Sequence, residues 1–285
     1  MAQVEDIFDE RYPLDKWRNS DYSFMDRFSM KGRKGFATGA AGGLGRNAAA
    51  ALAQAGADVA LVDLESKREH LEELAAEMHD LFGSDVIVET CDVTDPQQVE
   101  ELKRHLVDRL GTVDFAFLNA GVNVPGDDQD ATEEVWNKTI EINLNGTYRT
   151  ARIAHEIMRE HGHGGSLVFT ASLSGHNANY MMGGPTPINA YGATKAAIME
   201  HSRYLAAALA SYDIRSNTIS PGYVWSGIFN GRIDMDGHDA MLETVPIHRF
   251  GTNDEIAGAV LFLISDAASY VTGTDLRVDG GYSVF

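Results

Sequence analysis

Short apolar runs alternate with longer segments of helical period along most of the chain. Seven runs are rich in β-branched and aromatic residues and are too short for helices, which predicts β-strands. They are residues 35–38, 58–62, 86–90, 115–119, 166–170, 215–219 and 275–278. The segments of helical period between them are residues 44–55, 67–81, 96–110, 132–161, 189–211 and 254–265. This alternation is typical of successive βαβ units, so we expect an α/β fold with a doubly wound sheet of seven parallel strands in a single domain.

Three of the predicted helices begin at recognisable capping residues. Asp95 stands directly before Pro96, and Thr132 precedes a first turn that contains acidic residues. The last helix is preceded by Thr252 or Asn253, either of which can serve as the cap. These three helix starts are therefore the firmest element boundaries in the sequence.

Two segments depart from the alternation. Residues 1–30 mix charged residues with six aromatic residues and show no clear period. We interpret them as an N-terminal extension that packs on its own domain or on a neighbouring subunit, with the domain itself at residues 31–285. Residues 230–242 contain Gly, Asp and Met, and we expect a mobile excursion there, with Met241 either closing over a substrate or packing in the core.

Composition narrows the possible partners. The chain has 285 residues and carries 42 acidic against 23 basic side chains, so its surface repels nucleic acids and anionic lipids, and we expect neither nucleic acid nor membrane as a partner. No run approaches the roughly 18 apolar residues that cross a bilayer. The single cysteine, Cys91, cannot form an internal disulfide, and the first thirty residues hold no apolar core of the kind that a signal peptide needs. We therefore expect a cytoplasmic protein.

A glycine-rich turn follows the first predicted strand. Residues 38–45 read T-G-A-A-G-G-L-G, which places Gly39, Gly43, Leu44 and Gly45 before the first predicted helix. Glycine lets the backbone approach a pyrophosphate, and the N–H groups at a helix N-terminus hold the anion, as in Rossmann folds. A tight turn without a ligand is the alternative.

The second predicted strand is followed by an acidic residue. Asp63 stands 18 residues after Gly45, where a carboxylate can accept hydrogen bonds from an adenosine ribose. It would repel the 2′-phosphate of NADP, and neither Gly42 nor Leu64 offers a cation for that phosphate. We predict that NAD is the cofactor. A solvated residue at the end of a strand is the alternative.

Two further strand ends fit a nucleotide, because ligands of open α/β sheets lie beyond the carboxyl ends of the strands. Asp92 and Val93 follow the third strand and are predicted to meet the adenine. Asn119, Ala120 and Gly121 follow the fourth, and small residues there let a nucleotide lie against the backbone. Both sequences are also common in turns.

Tyr191 and Lys195 stand four residues apart in the fifth helical segment, so both side chains project from one face. A tyrosine with a pKa near ~10 is a poor base at neutral pH, and a nearby ammonium would lower that pKa. The pair therefore suits proton transfer, and an exposed helical pair is the alternative.

The motifs taken together resemble the short-chain dehydrogenase/reductase family, in its single-domain branch with T-G-x-x-x-G-x-G and Y-x-x-x-K. The resemblance covers about residues 31–285. Its motif residues are Gly39, Gly43, Gly45, Asp92, Asn119, Ala120, Gly121, Asn143, Ser172, Tyr191, Lys195, Pro221 and Gly222.

The resemblance implies a role for each residue of a catalytic set. Tyr191 would be the general acid/base, Ser172 would orient the substrate oxygen, and Lys195 would bind the nicotinamide ribose. Asn143 would hold a water that relays protons. The family relationship also implies a homo-oligomer, either a dimer or a tetramer, and of these we expect the tetramer.

Cofactor contacts are also implied near the end of the sixth strand. Pro221 and Gly222 would contact the cofactor, and Val224 and Ser226 would lie at the nicotinamide amide. Where the family often has threonine, this chain has Ser226, which keeps the hydroxyl. The implied reaction interconverts a secondary alcohol and a ketone.

The substrate is predicted to meet residues between Ser172 and Tyr191, which are 19 residues apart, several more than is usual in the family. The added stretch, residues 177–187, is predicted to line the pocket, and a surface loop is the alternative. The candidate substrate residues are Ser174, His176, Tyr180, Met181 and Met182. The sequence around these motifs is similar to that of sorbose reductases, mannitol or arabitol dehydrogenases and gluconate 5-dehydrogenases. This resemblance favours a polyol, a ketose or a sugar acid as the substrate. A hydroxysteroid is the alternative.

Other functions remain as hypotheses. An NAD-binding redox sensor without turnover is disfavoured by the complete catalytic set, and a ketoacyl-carrier reductase is disfavoured by Asp63 and the net charge of −19. His155, His161 and His163 have no carboxylate or cysteine at ligand spacing, so we predict no metal site.

Overall fold

The computed structural model describes residues 23–179, 188–226 and 235–284, and within it the side chains of residues 235–238 are not described. Seven parallel strands form one sheet in the order β3-β2-β1-β4-β5-β6-β7. The strands are β1 Lys34–Thr38, β2 Asp58–Asp63, β3 Val86–Thr90, β4 Phe115–Leu118, β5 Gly165–Thr170, β6 Ile214–Pro221 and β7 Asp275–Val278. The predicted α/β fold with a doubly wound sheet of seven parallel strands is confirmed, and strand ends differ from prediction by at most two residues.

Helices cover both faces of the sheet. They are α1 Gly43–Gln54, α2 Arg68–Phe82, α3 Pro96–Leu110, α4 Glu133–Ile140, α5 Thr147–His161, α6 Ala190–Leu209, α7 Met235–Glu243 and α8 Asn253–Ile264. Helices α1, α2 and α8 share one apolar cluster with the sheet, and α3, α5 and α6 share the other. In β1, Phe36 lies in the second cluster and Ala37 in the first. Because both faces of the central sheet are buried, β2 and β4 contain continuous apolar runs rather than an alternating pattern.

The strand order reverses beside β1, whose neighbours are β2 on one side and β4 on the other. Connections from these strands leave towards opposite faces, which opens a crevice at the carboxyl edge of the sheet. The residues predicted to bind cofactor follow β1, β2, β3, β4 and β6, so the fold brings them to this edge.

Helix caps account for several boundaries. Asp95 accepts hydrogen bonds from the backbone N–H groups of Gln97 and Gln98 at the start of α3. At α8, Thr252 is the cap and forms a reciprocal capping box with Glu255. The sequence could not choose between Thr252 and Asn253, and the structure assigns the cap to Thr252.

The single helix predicted for residues 132–161 is interrupted by a π-helical segment, Glu141–Gly146, between α4 and α5. Gly146 packs directly on Val93, since a Cβ at Gly146 would lie 2.5 Å from Val93 Cγ2. The hydroxyl of Thr147 donates to the carbonyl of Asn143 at 2.6 Å, and the hydroxyl of Thr150 donates to the carbonyl of Gly146 at 3.0 Å. Both hydroxyls therefore bond backbone carbonyls in and next to the π-helical turn.

The described part of the predicted excursion is helical. Helix α7 covers residues 235–243, and Met241 is 3% exposed in a cluster with Leu173, Tyr223 and Phe250. Core packing, the alternative for Met241, is therefore what the structure has, and closure of this residue over a substrate is not. Residues 227–234 lie outside the described part of the chain.

Residues 23–30 of the predicted extension pack on the domain itself. A 3₁₀ helix spans Phe24–Phe28, and the Arg27 guanidinium donates to the carbonyl of Asp266 and the hydroxyl of Ser269. Met30 is 2% exposed and belongs to the core cluster of α1 and α2. Residues 1–22 lie outside the described chain. Among the described residues, none of the helices has both the length and the apolar character that spanning a bilayer requires.

Candidate active site

The glycine loop joins β1 to α1 in a form that only glycine allows. Gly39 adopts a φ of +64°, and a Cβ at Gly45 would lie 2.2 Å from the carbonyl oxygen of Gly39. A Cβ at Gly43 would lie 2.7 Å from the carbonyl oxygen of Ser226. The cap residue Gly42 has no side chain that could bond the first turn of α1. The backbone N–H groups of that turn are therefore available to an anion. This cradle fits the pyrophosphate of a nicotinamide dinucleotide.

The loop after β4 is tied to the glycine loop. The hydroxyl of Thr38 accepts from the backbone N–H groups of Asn119 and Ala120, both at 3.0 Å. The Asn119 amide in turn donates to the carbonyls of Thr38 and Gly39. Gly121 follows. A Cβ at this glycine would lie 3.2 Å from Asn143 Oδ1 and 3.5 Å from Lys195 Nζ. The predicted cofactor residues of two strand ends thus form one connected surface.

Asp63 lies beside the glycine loop at the end of β2. Its carboxylate accepts from the N–H of Ala41 at 3.0 Å and from the N–H of Leu64 at 2.8 Å. One hydrogen bond to each oxygen leaves further acceptor capacity on both. Asp63 is therefore free to accept from the two hydroxyls of a ribose.

The nearby cation is already paired. The Arg68 guanidinium binds Glu65 through two hydrogen bonds, at 2.8 and 2.9 Å, and also reaches the hydroxyl of Thr90. Hydrogen bonds from Arg68 and Thr90 lower the pKa of Glu65 to about 2. Near Asp63 there is consequently a second carboxylate, that of Glu65, and the guanidinium of Arg68 is already bonded to Glu65.

Asp92 and Val93 have local structural roles. The Asp92 carboxylate accepts from the N–H and the hydroxyl of Thr94, at 2.9 and 2.7 Å, as in an Asx turn. Val93 is 8% exposed and packs on Gly146. The turn chemistry that the sequence left open is present, and an adenine contact at these residues stays a prediction.

Ser172 and Tyr191 meet in the crevice beyond β5. Ser172 follows the end of β5, and Tyr191 lies in the first turn of α6. Tyr191 is 9% exposed and Ser172 is 8% exposed. The two side chains that the resemblance pairs on one substrate oxygen line the same cavity in this structure.

Asp127 fixes the first turn of α6, and the sequence analysis missed it. Its carboxylate is 5% exposed and accepts from the N–H groups of Ala190 and Tyr191 at 2.7 and 2.8 Å. The residue directly before the helix, Asn189, makes no side-chain cap. No local signal could identify Asp127 as this cap, because it lies more than sixty residues earlier in the chain.

Lys195 is buried behind Tyr191. Its ammonium donates to the carbonyl of Thr170 at 2.7 Å and lies 5.4 Å from the centre of the Tyr191 ring. The side chain is 3% exposed, and burial lowers the pKa of Lys195 to about 8. Its placement next to Gly121 suits contact with a ligand that lies along that backbone.

The pKa of Tyr191 departs from the sequence expectation. Burial raises the pKa of this phenol, and the hydrogen bond with Ser172 opposes the rise only in part. The expected lowering by the ammonium of Lys195 is not found, because Lys195 bonds the carbonyl of Thr170 and loses its own proton more readily when buried. Without a cofactor, Tyr191 is a protonated phenol.

Asn143 lies on the π-helical segment and is completely buried. Its side-chain oxygen accepts from the N–H of Val122 at 2.8 Å, and its amide donates to the carbonyl of Val122 at 2.9 Å. Both ends of the amide thus hold the backbone after Gly121. Asn143 positions this segment, and the relay water that the resemblance implies for it stays a prediction.

A cavity of about 60 Å³ brings the catalytic and cofactor candidates together. Sequence-predicted residues in its wall are Leu44, Ser172, Ser174, Tyr191, Pro221, Gly222, Val224 and Ser226. Thr170, Ala171, Leu173, Asn179 and Tyr223 also line it and were not predicted. A larger cavity, of about 320 Å³, is lined partly by Arg249, Glu255 and Arg277 and contains none of the predicted site residues. We place the active site at the smaller cavity because the catalytic side chains are there.

His176 does not line this cavity. Its Nε2 lies 2.8 Å from Asp275 Oδ2 and 3.3 Å from the hydroxyl of Ser220. The same carboxylate accepts from Ser220 and Thr218. The Nε2 atom of His176 is therefore bound to a carboxylate of β7, and the substrate contact predicted for His176 stays a prediction. Tyr180, Met181 and Met182 lie outside the described residues.

The histidines considered for a metal are dispersed into separate contacts. His161 bonds the carbonyl of Ile157, and His163 lies 3.2 Å from a carboxylate oxygen of Asp114. Burial lowers the pKa of His155. Within the described residues, no three His, Cys, Asp or Glu side chains are grouped as a metal ion would require.

Comparison with known proteins adds relatives over nearly the whole chain. A family model described as Enoyl-(Acyl carrier protein) reductase matches residues 39–283. The chain is 39% identical to a sorbose reductase of Schizosaccharomyces pombe, with 90% of this chain and 97% of that protein covered. It is 38% identical to a probable NADP-dependent mannitol dehydrogenase of Yarrowia lipolytica, with 91% of each covered.

A solved structure agrees in fold. The crystal structure of a short-chain type dehydrogenase/reductase from Mycobacterium marinum matches with a TM-score of 0.85 and 34% identity, covering 92% of this chain and 99% of that one. The family model, the relatives and the solved structure each match nearly the whole chain. The chain belongs to the short-chain dehydrogenase/reductase family, whose members are oxidoreductases that bind a nicotinamide cofactor.

Proposed function

We propose that the protein is an NAD-dependent dehydrogenase that interconverts a secondary alcohol and a ketone in a polyol, a ketose or a sugar acid. The observation that carries the proposal is the meeting of Ser172, Tyr191 and the glycine loop around one cavity. A small molecule that enters this cavity reaches a proton donor and the cofactor site together.

The chain's own residues account for the proton. The Tyr191 phenol donates its proton to the carbonyl oxygen of a ketone, or its phenolate accepts one from an alcohol, while the Ser172 hydroxyl holds that oxygen. A nicotinamide held at the glycine loop would supply the acceptor or donor of the hydride, and in its oxidised form a positive charge near Tyr191. Such a charge would oppose the rise that burial gives to the pKa of Tyr191.

NAD is proposed over NADP because of the charges at the end of β2. A 2′-phosphate would meet the carboxylates of Asp63 and Glu65, and Arg68 is already bound to Glu65. The mannitol dehydrogenase of Yarrowia lipolytica is described as NADP-dependent, so relatives alone do not support the choice. Asp63 supports it.

A polyol or ketose is supported by the relatives, which are described as a sorbose reductase and a mannitol dehydrogenase. The hydroxysteroid alternative depended on Tyr180 and on the two methionines after it, which lie outside the described residues. Polar residues of the described cavity wall, among them Ser174 and Asn179, suit a hydroxylated substrate better than a steroid.

We also propose a homo-oligomer, specifically a tetramer. Large aromatic side chains are exposed on the helices after β4 and β5, with Trp136 at 39%, Tyr148 at 52% and Tyr204 at 66%. Surfaces of this kind are typical of contacts between subunits. A cytoplasmic location stays a prediction from the sequence.

A substrate panel tests the proposed activity. Absorbance of the reduced nicotinamide should increase with NAD and at least one of mannitol, a sugar acid or another polyol, and less with steroids or acyl thioesters. The sensor hypothesis requires NAD binding without turnover of any compound. Turnover confined to acyl thioesters would favour the carrier-reductase hypothesis instead.

A further inference from the structure

One polar atom in the wall of the active-site cavity has no hydrogen-bond partner. Asn179 is 1% exposed, and its side-chain oxygen Oδ1 makes no hydrogen bond. A buried carbonyl without a partner is costly, and native proteins keep few of them. Such an atom in a cavity wall points to a ligand that supplies the missing donor.

The other end of the same amide is engaged. Asn179 Nδ2 donates to the hydroxyl oxygen of Ser174 at 2.8 Å. This bond uses the Ser174 oxygen as an acceptor and leaves its O–H free to donate. In this orientation of the amide, Nδ2 faces Ser174 and Oδ1 points elsewhere.

Both residues are close to the reacting centre. The N–H of Ser174 donates to the hydroxyl oxygen of Ser172 at 3.2 Å, and Ser172, Ser174, Asn179 and Tyr191 line the same cavity. The backbone at Asn179 is held by a hydrogen bond from the N–H of Ile188 at 3.1 Å. The pair therefore has a fixed position beside the oxygen that Ser172 and Tyr191 would bind.

We propose that Ser174 and Asn179 form a subsite for a second substrate hydroxyl, on the carbon next to the one that is oxidised. A hydroxyl both accepts and donates, so it can accept from the O–H of Ser174 while donating to Oδ1 of Asn179. This inference rests on the proposed function and narrows its substrate to vicinal diols, polyols and α-hydroxy ketones.

An apolar group at this position satisfies neither partner. An alkyl chain or a steroid ring would leave Oδ1 unpaired and would also shut water out of the cavity. Sites built to bond a hydroxyl discriminate strongly against analogues that lack it, because their own polar groups are left unpaired. The subsite therefore selects against such substrates as well as for hydroxylated ones.

The test compares butane-2,3-diol with butan-2-ol in the parent protein and in Asn179→Leu. Leucine has the branched shape of asparagine, with the same number of heavy side-chain atoms, and no polar atom. In the parent, kcat/KM for the diol should exceed that for the mono-alcohol by roughly tenfold or more. In N179L the ratio of kcat/KM for the diol to that for butan-2-ol should lose most of this excess. Ser174→Ala should act in the same direction.

Two controls separate this effect from misfolding. The melting temperature of N179L should stay within a few degrees of that of the parent, because the variant removes an unpaired buried carbonyl together with one hydrogen bond to Ser174. Asn137→Leu makes the same exchange at an exposed position of α4 and should leave the ratio of diol to mono-alcohol unchanged.

Calorimetry measures the binding of both compounds to the protein with NADH, so it tests the subsite even if neither compound is turned over. Absence of turnover would count against the proposed function and not against the subsite. Tighter binding of the diol than of butan-2-ol that disappears in N179L supports the subsite. An unchanged preference in N179L, or an equal loss for both compounds, would overturn it.

Discussion

The ammonium of Lys195 lies in the protein interior, beside the carbonyl of Thr170. Burial lowers the pKa of Lys195 to about 8, whereas an unfolded lysine titrates near ~10.4. Between these values the unfolded chain binds more protons than the folded one, so this group makes the free energy of unfolding rise with pH. The cost of its burial is present in full below pH 8 and is gone above the unfolded pKa.

Lys195→Met tests this titration, because methionine has a similar length and no charge. The free energy of unfolding of the parent, minus that of K195M, should increase between pH 8 and pH 10 by up to about 3 kcal/mol. Urea denaturation of the cofactor-free proteins measures it. The tyrosine whose pKa burial raises is present in both, so its opposite effect at higher pH cancels. Curves that stay parallel across this range would show that Lys195 does not titrate there.

The proposed preference for NAD depends on the carboxylate of Asp63. Asp63→Ser removes this carboxylate and keeps a hydrogen-bonding side chain. The ratio of kcat/KM for NADP to that for NAD should rise by roughly tenfold or more, since a like charge is removed. Asp58→Ser, at the opposite end of the same strand, is the matched control and should not change the ratio. A parent enzyme that already prefers NADP would contradict the NAD assignment.

At the scale of elements, helix α6 carries Tyr191 and Lys195, and its first turn depends on a residue from the loop after β4. The two oxygens of Asp127 receive the N–H groups of Ala190 and Tyr191. This bond joins the catalytic helix to the loop that also holds Gly121. A displacement of a catalytic group by about an ångström can lower the reaction rate by a large factor.

Asp127→Ala should lower both stability and turnover. The loss of two buried acceptors predicts about 1–3 kcal/mol less free energy of unfolding and a kcat lower by roughly tenfold or more. Asp95→Ala removes the comparable cap of α3, far from the catalytic residues, so it should reduce stability with little effect on kcat. Urea denaturation and initial rates measure the two effects. Equal kcat in D127A and D95A would show that Asp127 is only a structural cap.

The two capping residues differ in whether local sequence can predict them. Asp95 was predicted because its partners follow it directly, and the glycine loop was predicted because its geometry requires glycine locally. Asp127 caps a helix 63 residues away, and His176 bonds Asp275 at a separation of 99 residues. Contacts of that range exist only once the sheet has assembled.

The π-helical segment at Asn143 was missed for a related reason. Its residues continue the helical period of the segments on both sides, so the pattern predicts one helix. The wider turn fits the packing of Gly146 on Val93, which a local pattern does not contain. The seven strands were predictable, in contrast, because short apolar runs alternate with longer segments of helical period along the chain.

At the scale of the molecule, the reversal of strand order beside β1 places the ends of several strands around one crevice. Chain segments far apart in sequence, from Leu44 to Ser226, therefore share one cavity. The net charge of the chain, −19, favours an uncharged substrate over an anionic one. A polyol meets that condition more readily than a sugar acid does.

The most direct test of the account is the rate of reduced nicotinamide formation by the parent and by Tyr191→Phe, with NAD and a polyol that the parent oxidises. The phenylalanine variant keeps the ring and loses the proton that the account assigns to the reaction, so turnover should fall by at least about 100-fold while NADH binding is unchanged. Tyr270→Phe, at a fully exposed tyrosine, should behave as the parent does. Turnover of Y191F close to that of the parent would contradict the role of Tyr191 and the mechanism that depends on it.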